Sequence, residues 1–434
     1  MSDLAAQLAA ALPENKAVSP GWLKTIRETG AEQFRTHGLP TRKDEAWKYT
    51  GLTVLDQAEV QLARGLDAEI AGKAHPAPLA EPGLQLNLLD GHVFEQIGAV
   101  PTGVTVLPMA NALNFGVNGL QDLLESFSEK HADKPSGHGF SALNSATLGA
   151  GAVIHVAAGV DAGRVTMVWS TSGHETPLLF NSRICVILEQ GARLELLEQF
   201  ESDDDQRNTS NIILQASLEN DARLQHVRFQ QESSDAVLIT RTEITQQADT
   251  EYDYFGFDLG GGLIRHDLHS SLLGSGAKAA INGAYLLDGN RHVDNHTRVD
   301  HFAGGCFSDQ YFRGVAGGNS RAVFNTAVCV HRGADESEAR QSNANILLSQ
   351  RAEVDTKPEL EIYADEVIAS HGATVGQLDE LAVFYLRSRG LSEQQARQLL
   401  TTAFCQSVSD KLADQELGVI IAQRMMDVMP QADP

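Results

Sequence analysis

The chain has 434 residues, 42% of them hydrophobic and 21% charged, with a formal net charge of −24. That length exceeds one ordinary core, so two or three domains are expected, and the composition is that of a globular protein and not a disordered one. The acidic excess argues against a nucleic-acid footprint, which needs clustered Lys and Arg, and against docking on an anionic membrane.

No apolar run approaches the roughly 18 residues that cross a bilayer. Met1–Leu8 lacks the basic leading region of a secretory signal and reads as a helix opening. Cys185, Cys306, Cys329 and Cys405 are scattered with no CxxC pair, which indicates neither a disulfide framework nor a zinc knuckle. A reducing cytoplasm is the expected compartment.

Residues 1–140 read as a helical and mixed α+β region. Leu4, Leu8 and Leu12 recur at helical spacing before Pro13. A second helix is expected after Pro20-Gly21, through Trp22, Ile26 and Phe34 to Gly38. Beyond a Pro-bearing stretch at 74–78, Leu84–Leu88 and Gly103–Leu107 read as strands, with Asp90-Gly91 as a tight turn.

Residues 141–358 read as almost all strand, in short alternating runs such as Val153–Val156, Arg164–Trp169, Arg183–Leu188, Asn211–Leu218 and Val237–Thr245. A faint repeat pairs a turn residue with a small residue, and often a basic one, at the opening of a strand: Gly191-Ala192-Arg193, Asp221-Ala222-Arg223, Asp249-Thr250-Glu251 and Gly276-Ala277-Lys278. Offsets at the small residue are 30, 28 and 27, and Ser320 breaks the interval at 43. Near-constant spacing of short strands fits stacked coils of a β-solenoid, and a β-sandwich gives similar texture. A solenoid needs caps at both ends, and the flanking helical regions suit that need.

Residues 359–434 return to the helix period. An amphipathic helix runs through Val383, Phe384, Tyr385 and Leu386 to Gly390. Ser392, with Gln395 three residues on, opens a second, and a last helix is expected from about Asp410 to Val428.

His266, His269, His292, His296 and His301 alternate with Asp267, Asp294 and Asp300, donors that could assemble a divalent-metal site. On a strand, however, His266 and His269 project to opposite faces, whereas His292 and His296 share one. Decoration of a polar solenoid face is the simpler reading. Gly256–Gly262 reads as a bend where backbones approach closely. No Walker A loop, GxGxxG, GxSxG or HExxH motif is present.

The segment Ser370-His371-Gly372-Ala373-Thr374-Val375-Gly376-Gln377-Leu378-Asp379-Glu380, followed by Phe384-Tyr385-Leu386-Arg387-Ser388-Arg389-Gly390, resembles the C-terminal signature of the SufB/SufD family of iron–sulfur cluster assembly scaffolds. Gln341–Ser349, Val354–Leu360 and Arg42–Thr50 are similar to further runs of that family, so the resemblance spans nearly the whole chain. Leu386 stands where SufB-like chains carry a cysteine and Gly372 where they tend to carry Glu, which places the resemblance on the SufD side.

The resemblance implies a mainly β fold: a right-handed parallel β-helix core with N-terminal and C-terminal helical regions. It implies a non-catalytic scaffold that forms a heterodimer with a SufB-like subunit, binds a SufC-like ATPase through its C-terminal region, and meets sulfur-donor proteins indirectly. A homodimer in isolation is also compatible with it. Iron or a transient Fe–S cluster would sit at the subunit interface, ATP would enter only through the partner, and a reduced flavin is left open. By the same resemblance His371 would hold metal, and Asp379, Glu380, Tyr385, Arg387 and Arg389 would face the ATPase partner. Ala369 departs from the cysteine that SufD-like chains often carry two residues before this histidine. The alternative reading is a metal-dependent β-helix enzyme acting on polysaccharide through the His/Asp stretch.

Overall fold

The computed structural model describes residues 3–13, 20–57, 60–63, 65, 76–81, 83–132, 138–172, 176–202 and 207–430. Residues 1 and 2 and residues 74 and 75 of the Pro-bearing stretch lie outside that set.

From Gly151 to Gly376 the chain winds as a parallel β-solenoid in which each strand pairs with the strand two further on. The first sheet runs from Asp161–Ser170 through Arg193–Glu201, Arg223–Gln231, Glu251–Asp258, Lys278–Leu287, Phe307–Ala316 and Ser337–Leu347 to Val367–Gly376. The second runs from Gly151–Val156 through Leu178–Leu188, Thr209–Leu218, Val237–Gln246, Leu263–Leu272, His292–His301 and Arg321–Val330 to Glu353–Ile362.

The faint repeat of the sequence is the register of the first sheet. Arg193 pairs with Arg223, Arg223 with Glu251, and Glu251 with Lys278. The turn residues before these strands, Gly191, Asp221, Asp249 and Gly276, all have positive φ, between 58° and 73°. Gly and Asp tolerate that left-handed conformation, which accounts for their recurrence. The small residues Ala192, Ala222, Thr250 and Ala277 are fully buried beneath the turn. The interval of 43 to Ser320 is a change of sheet: Lys278 continues to Phe307, and Arg321 opens a strand of the second sheet. Cys306 takes the buried small position before Phe307. A cysteine followed by phenylalanine disguised that coil in the sequence.

Both faces of each sheet are covered, as parallel sheets require. Inward-facing Leu194, Leu224, Tyr252, Leu238 and Ile264 pack against one another in the solenoid interior. The outer face of the first sheet, with Val227, Phe229, Phe255 and Phe257, receives Val408, Leu417 and Ile421 of the C-terminal helices. The outer face of the second, with Leu179, Val237 and Ile239, receives Phe34, Trp47 and Phe140 of the N-terminal region. The early strand Leu84–Leu89 turns at Asp90-Gly91, both at positive φ, into His92–Ile97 and also extends the first sheet beside Val165–Ser170. The glycine run is a close approach: a Cβ on Gly262 would lie 2.2 Å from the carbonyl oxygen of Ser234.

Three expectations are corrected. Strand continues beyond residue 358 to Gly376, and helix resumes only at Glu380. The last helix opens at Gln415, after an Asp414 N-cap; the preceding helix Glu393–Ser409 has the expected extent and starts with a complete Ser392/Gln395 capping box. The C-terminal helices lie along the side of the first sheet and do not cap the end, so the final coil is left open.

Candidate functional site at the open end of the solenoid

Among the described residues, Glu353–Ile362 pairs only with Arg321–Val330, and Val367–Gly376 only with Ser337–Leu347. Each therefore presents an edge of unpaired backbone donors and acceptors, a ready template for another chain. Ile362, Tyr363, Ile368 and Val375 are exposed there, whereas Val330 and Asn345, in register with Ile362 and Val375 one coil earlier, are buried.

His371 lies on this last strand, in register with Gln341, which is in register with Gln310. These belong to the inward row that continues through Ile281, Tyr254 and His226. With no further coil over it, the His371 ring is exposed, and it makes no hydrogen bond to a described residue. Ala369 shares its face, because residues two apart on a strand point the same way; a thiol at 369 would have stood beside the imidazole. Buried Gln341 donates to Thr326 at 2.9 Å, while its Oε1 has no partner among the described residues.

The five residues expected to meet the ATPase partner lie on or beside helix Glu380–Ser388. Asp379 is its N-cap, accepting from the Leu381 amide at 2.9 Å. Glu380 pairs with Arg397 at 2.9 Å and Arg387 with Glu393 at 3.2 Å, so these charges hold the helix to its neighbour. Arg389 stacks over the Tyr385 ring at 5.2 Å. What remains outward is apolar: Leu381, Phe384 and Tyr385 are 77%, 69% and 57% exposed, while Val383 anchors the opposite side. Leu381 was not singled out from sequence, although the i, i+3, i+4 spacing of these three places them on one face.

The His/Asp stretch divides as the strand parity requires. His266 faces inward and stacks on Tyr254, and burial holds its imidazole well below the usual value. Outward, Arg265 is almost fully buried between Asp267, at 2.7 Å, and Asp294, which also bonds Thr50. Arg265 also donates to the Ala46 carbonyl at 2.7 Å and lies 4.4 Å from the Trp47 ring centre. The segment Arg42–Thr50 is thus a clasp on the second sheet. Burial pushes Asp294 up, but Arg265 and His296 more than offset it and hold the carboxyl well below the usual range. Burial lowers His292 to about 4, with Asp294 opposing that effect.

All four cysteines are free and buried. Burial pushes Cys185 and Cys405 up to about 12, so neither is a ready thiolate. None lies on the strand of His371.

Residues 170–404 match the family model described as SUF system FeS cluster assembly, SufBD core domain. The chain belongs to the SufBD family. The match takes in the solenoid from the end of Asp161–Ser170 onward, the open last coil with His371, and helix Glu380–Ser388. Among its relatives, the iron-sulfur cluster assembly protein SufD of Escherichia coli is 29% identical, over 92% of this chain and 91% of that protein. A SufBD family protein of Synechocystis is 28% identical over 89% of this chain and 86% of that protein. The chloroplastic protein ABCI7 of Arabidopsis thaliana is 28% identical over 95% and 88%. The SufBD assignment agrees with the resemblance read from the sequence, and it ties the chain to Fe–S cluster assembly. No helix among the described residues is long and apolar enough to cross a membrane.

Proposed function

We propose that this chain is a non-catalytic scaffold subunit of Fe–S cluster assembly that pairs through its open last coil with a SufB-like subunit. The observation that carries the proposal is the uncovered final coil, which puts an accessible imidazole, unpaired strand edges and exposed Ile368 and Val375 in one place. Edge pairing would give such a joint its main-chain hydrogen bonds, and the apolar side chains its burial. His371 then lies inside the joint, where a neutral imidazole can ligate iron or a nascent cluster passing through as cargo. Ala369 offers no thiol, so sulfur ligands would come from the partner.

The exposed Leu381, Phe384 and Tyr385 face is the proposed seat of a SufC-like ATPase, with Asp379, Glu380, Arg387 and Arg389 keeping that helix in place. ATP turnover would belong to the partner, whose closure would pull the helices and rearrange the joint. In isolation, the same strand edges would accept a second copy of this chain.

Co-purification of the tagged chain from its native cells, then anaerobic Fe–S reconstitution, tests the proposal. Recovery of SufB-like and SufC-like partners, with cluster yield lost in His371→Ala but the complex retained, is the expected result. A chain that recovers no partner and supports no cluster formation overturns it.

A further inference from the structure

A second group of ligand-type side chains lies on the outer face of the second sheet, and the scaffold reading makes no use of it. Asp300 pairs in register with Cys329, and Cys329 with Glu361 on the last coil. His331 follows Cys329 by two residues and so points to the same side. Asp300, Cys329 and His331 each bring one donor atom to within 4.8 Å of the others. His331 Nε2 is 3.0 Å from Asp300 Oδ1, and its Nδ1 is 4.0 Å from Cys329 Sγ.

We propose that Cys329, His331 and Asp300 form a site for one divalent first-row transition metal, with the carboxylate of Glu361 closing its open side. The donor chemistry is specific: thiolate, imidazole and carboxylate together suit Zn²⁺ or Fe²⁺ and are a poor match for Mg²⁺ or Ca²⁺. At the tetrahedral angle, bonds of about 2.3 Å to sulfur and 2.0–2.1 Å to nitrogen put the two donors about 3.6 Å apart, so the 4.0 Å between Cys329 Sγ and His331 Nδ1 needs only a small side-chain adjustment.

The surroundings are built for this purpose. The His331 ring is held flat against Phe302, with centroids 4.2 Å apart and planes within 8°. Asp300 is fixed by His269 at 2.6 Å and by a two-pronged contact from Arg298 at 2.7 and 2.8 Å. Cys329 is buried facing Asp300 and Glu361, with the Arg298 guanidinium also near it. His331 is partly open to solvent, which gives an ion its approach. Arg298, itself partly exposed, can swing aside on its flexible stem.

The site is independent of His371, and its test needs no partner protein. Full-length chain stripped with chelator is titrated anaerobically with Co²⁺, followed by Zn²⁺ competition. The expected result is one equivalent bound with a near-ultraviolet thiolate-to-cobalt band that Zn²⁺ erases. Cys329→Ser should abolish the band, and His331→Ala, at a half-exposed position that folding tolerates, should weaken binding by roughly tenfold or more. His371→Ala should leave both unchanged. Absence of the band in the unsubstituted chain, or a band that survives Cys329→Ser, overturns the proposal.

Discussion

At the scale of single residues, the clasp formed by Arg42–Thr50 concentrates cost in one buried cation. Arg265 compensates Asp294, and its removal leaves that carboxylate buried and unpaired on one side. Arg265→Ala is expected to lower unfolding free energy by about 3–5 kcal/mol, read from the denaturant midpoint. The clasp is also acid-sensitive. His292 faces Asp294, Arg321, Arg265, Arg42 and Thr50 and is held neutral, at about 4 in the fold against a usual 6.5. The unfolded chain therefore binds the extra proton between those values, and stability is lost as pH falls through that window. The carboxylate contribution of Asp294, whose folded value is depressed, disappears only at still lower pH. His292→Asn should flatten the stability profile between pH 6.5 and 4, measured by denaturation at stepped pH. Which histidines share a face was legible from strand parity. Their partners were not, because Thr50 meets Asp294 across 244 positions of sequence.

At the scale of elements, helix Glu380–Ser388 separates residues that hold it in place from the exposed face proposed for docking. Asp379→Ala removes the N-cap and should cost about 1 kcal/mol of stability, visible in thermal unfolding. Leu381→Asp with Phe384→Asp changes only exposed positions and should shift stability by about 0.5 kcal/mol or less. The same pair should abolish capture of a SufC-like ATPase in a pull-down; retained capture would remove this face from consideration. The amphipathic helix and its stop at Gly390 were readable from periodicity. The end of the solenoid was misread at its last strand, Val367–Gly376, where inward His371 and outward Ile368 reverse the apolar alternation that burial imposes elsewhere and that Glu353–Ile362 still keeps through Val354, Leu360 and Ile362. An uncovered last strand is under no such pressure, so the misreading and the open site share one cause.

At the scale of the whole molecule, one end of the solenoid is shut and the other is not. Strands Leu84–Leu89 and Val104–Pro108 pair with the outer edges of the first coil, while on the far side of the last coil the described residues provide neither cap nor further strand. Ile368→Lys with Val375→Lys places charge on that end, a device that discourages edge-to-edge association. Light scattering should then show a monomer, and heterodimer formation with a SufB-like subunit should fail, with the far-ultraviolet spectrum unchanged. The repeat spacing in the sequence was sufficient to foresee stacked coils. It carried no signal for the asymmetry, because the C-terminal helices look the same whether they fold over the end or along the flank.

An array whose coils touch only their neighbours frays from whichever terminus is held on one side alone. In the free chain the amides of Glu353–Ile362 and Val367–Gly376 should therefore exchange with deuterium soonest among the solenoid strands, with protection climbing coil by coil toward Gly151. A partner seated on the final coil would convert that fraying terminus into an interior rung. The imidazole of His371 would then be held still at the moment a second subunit arrives, and only then.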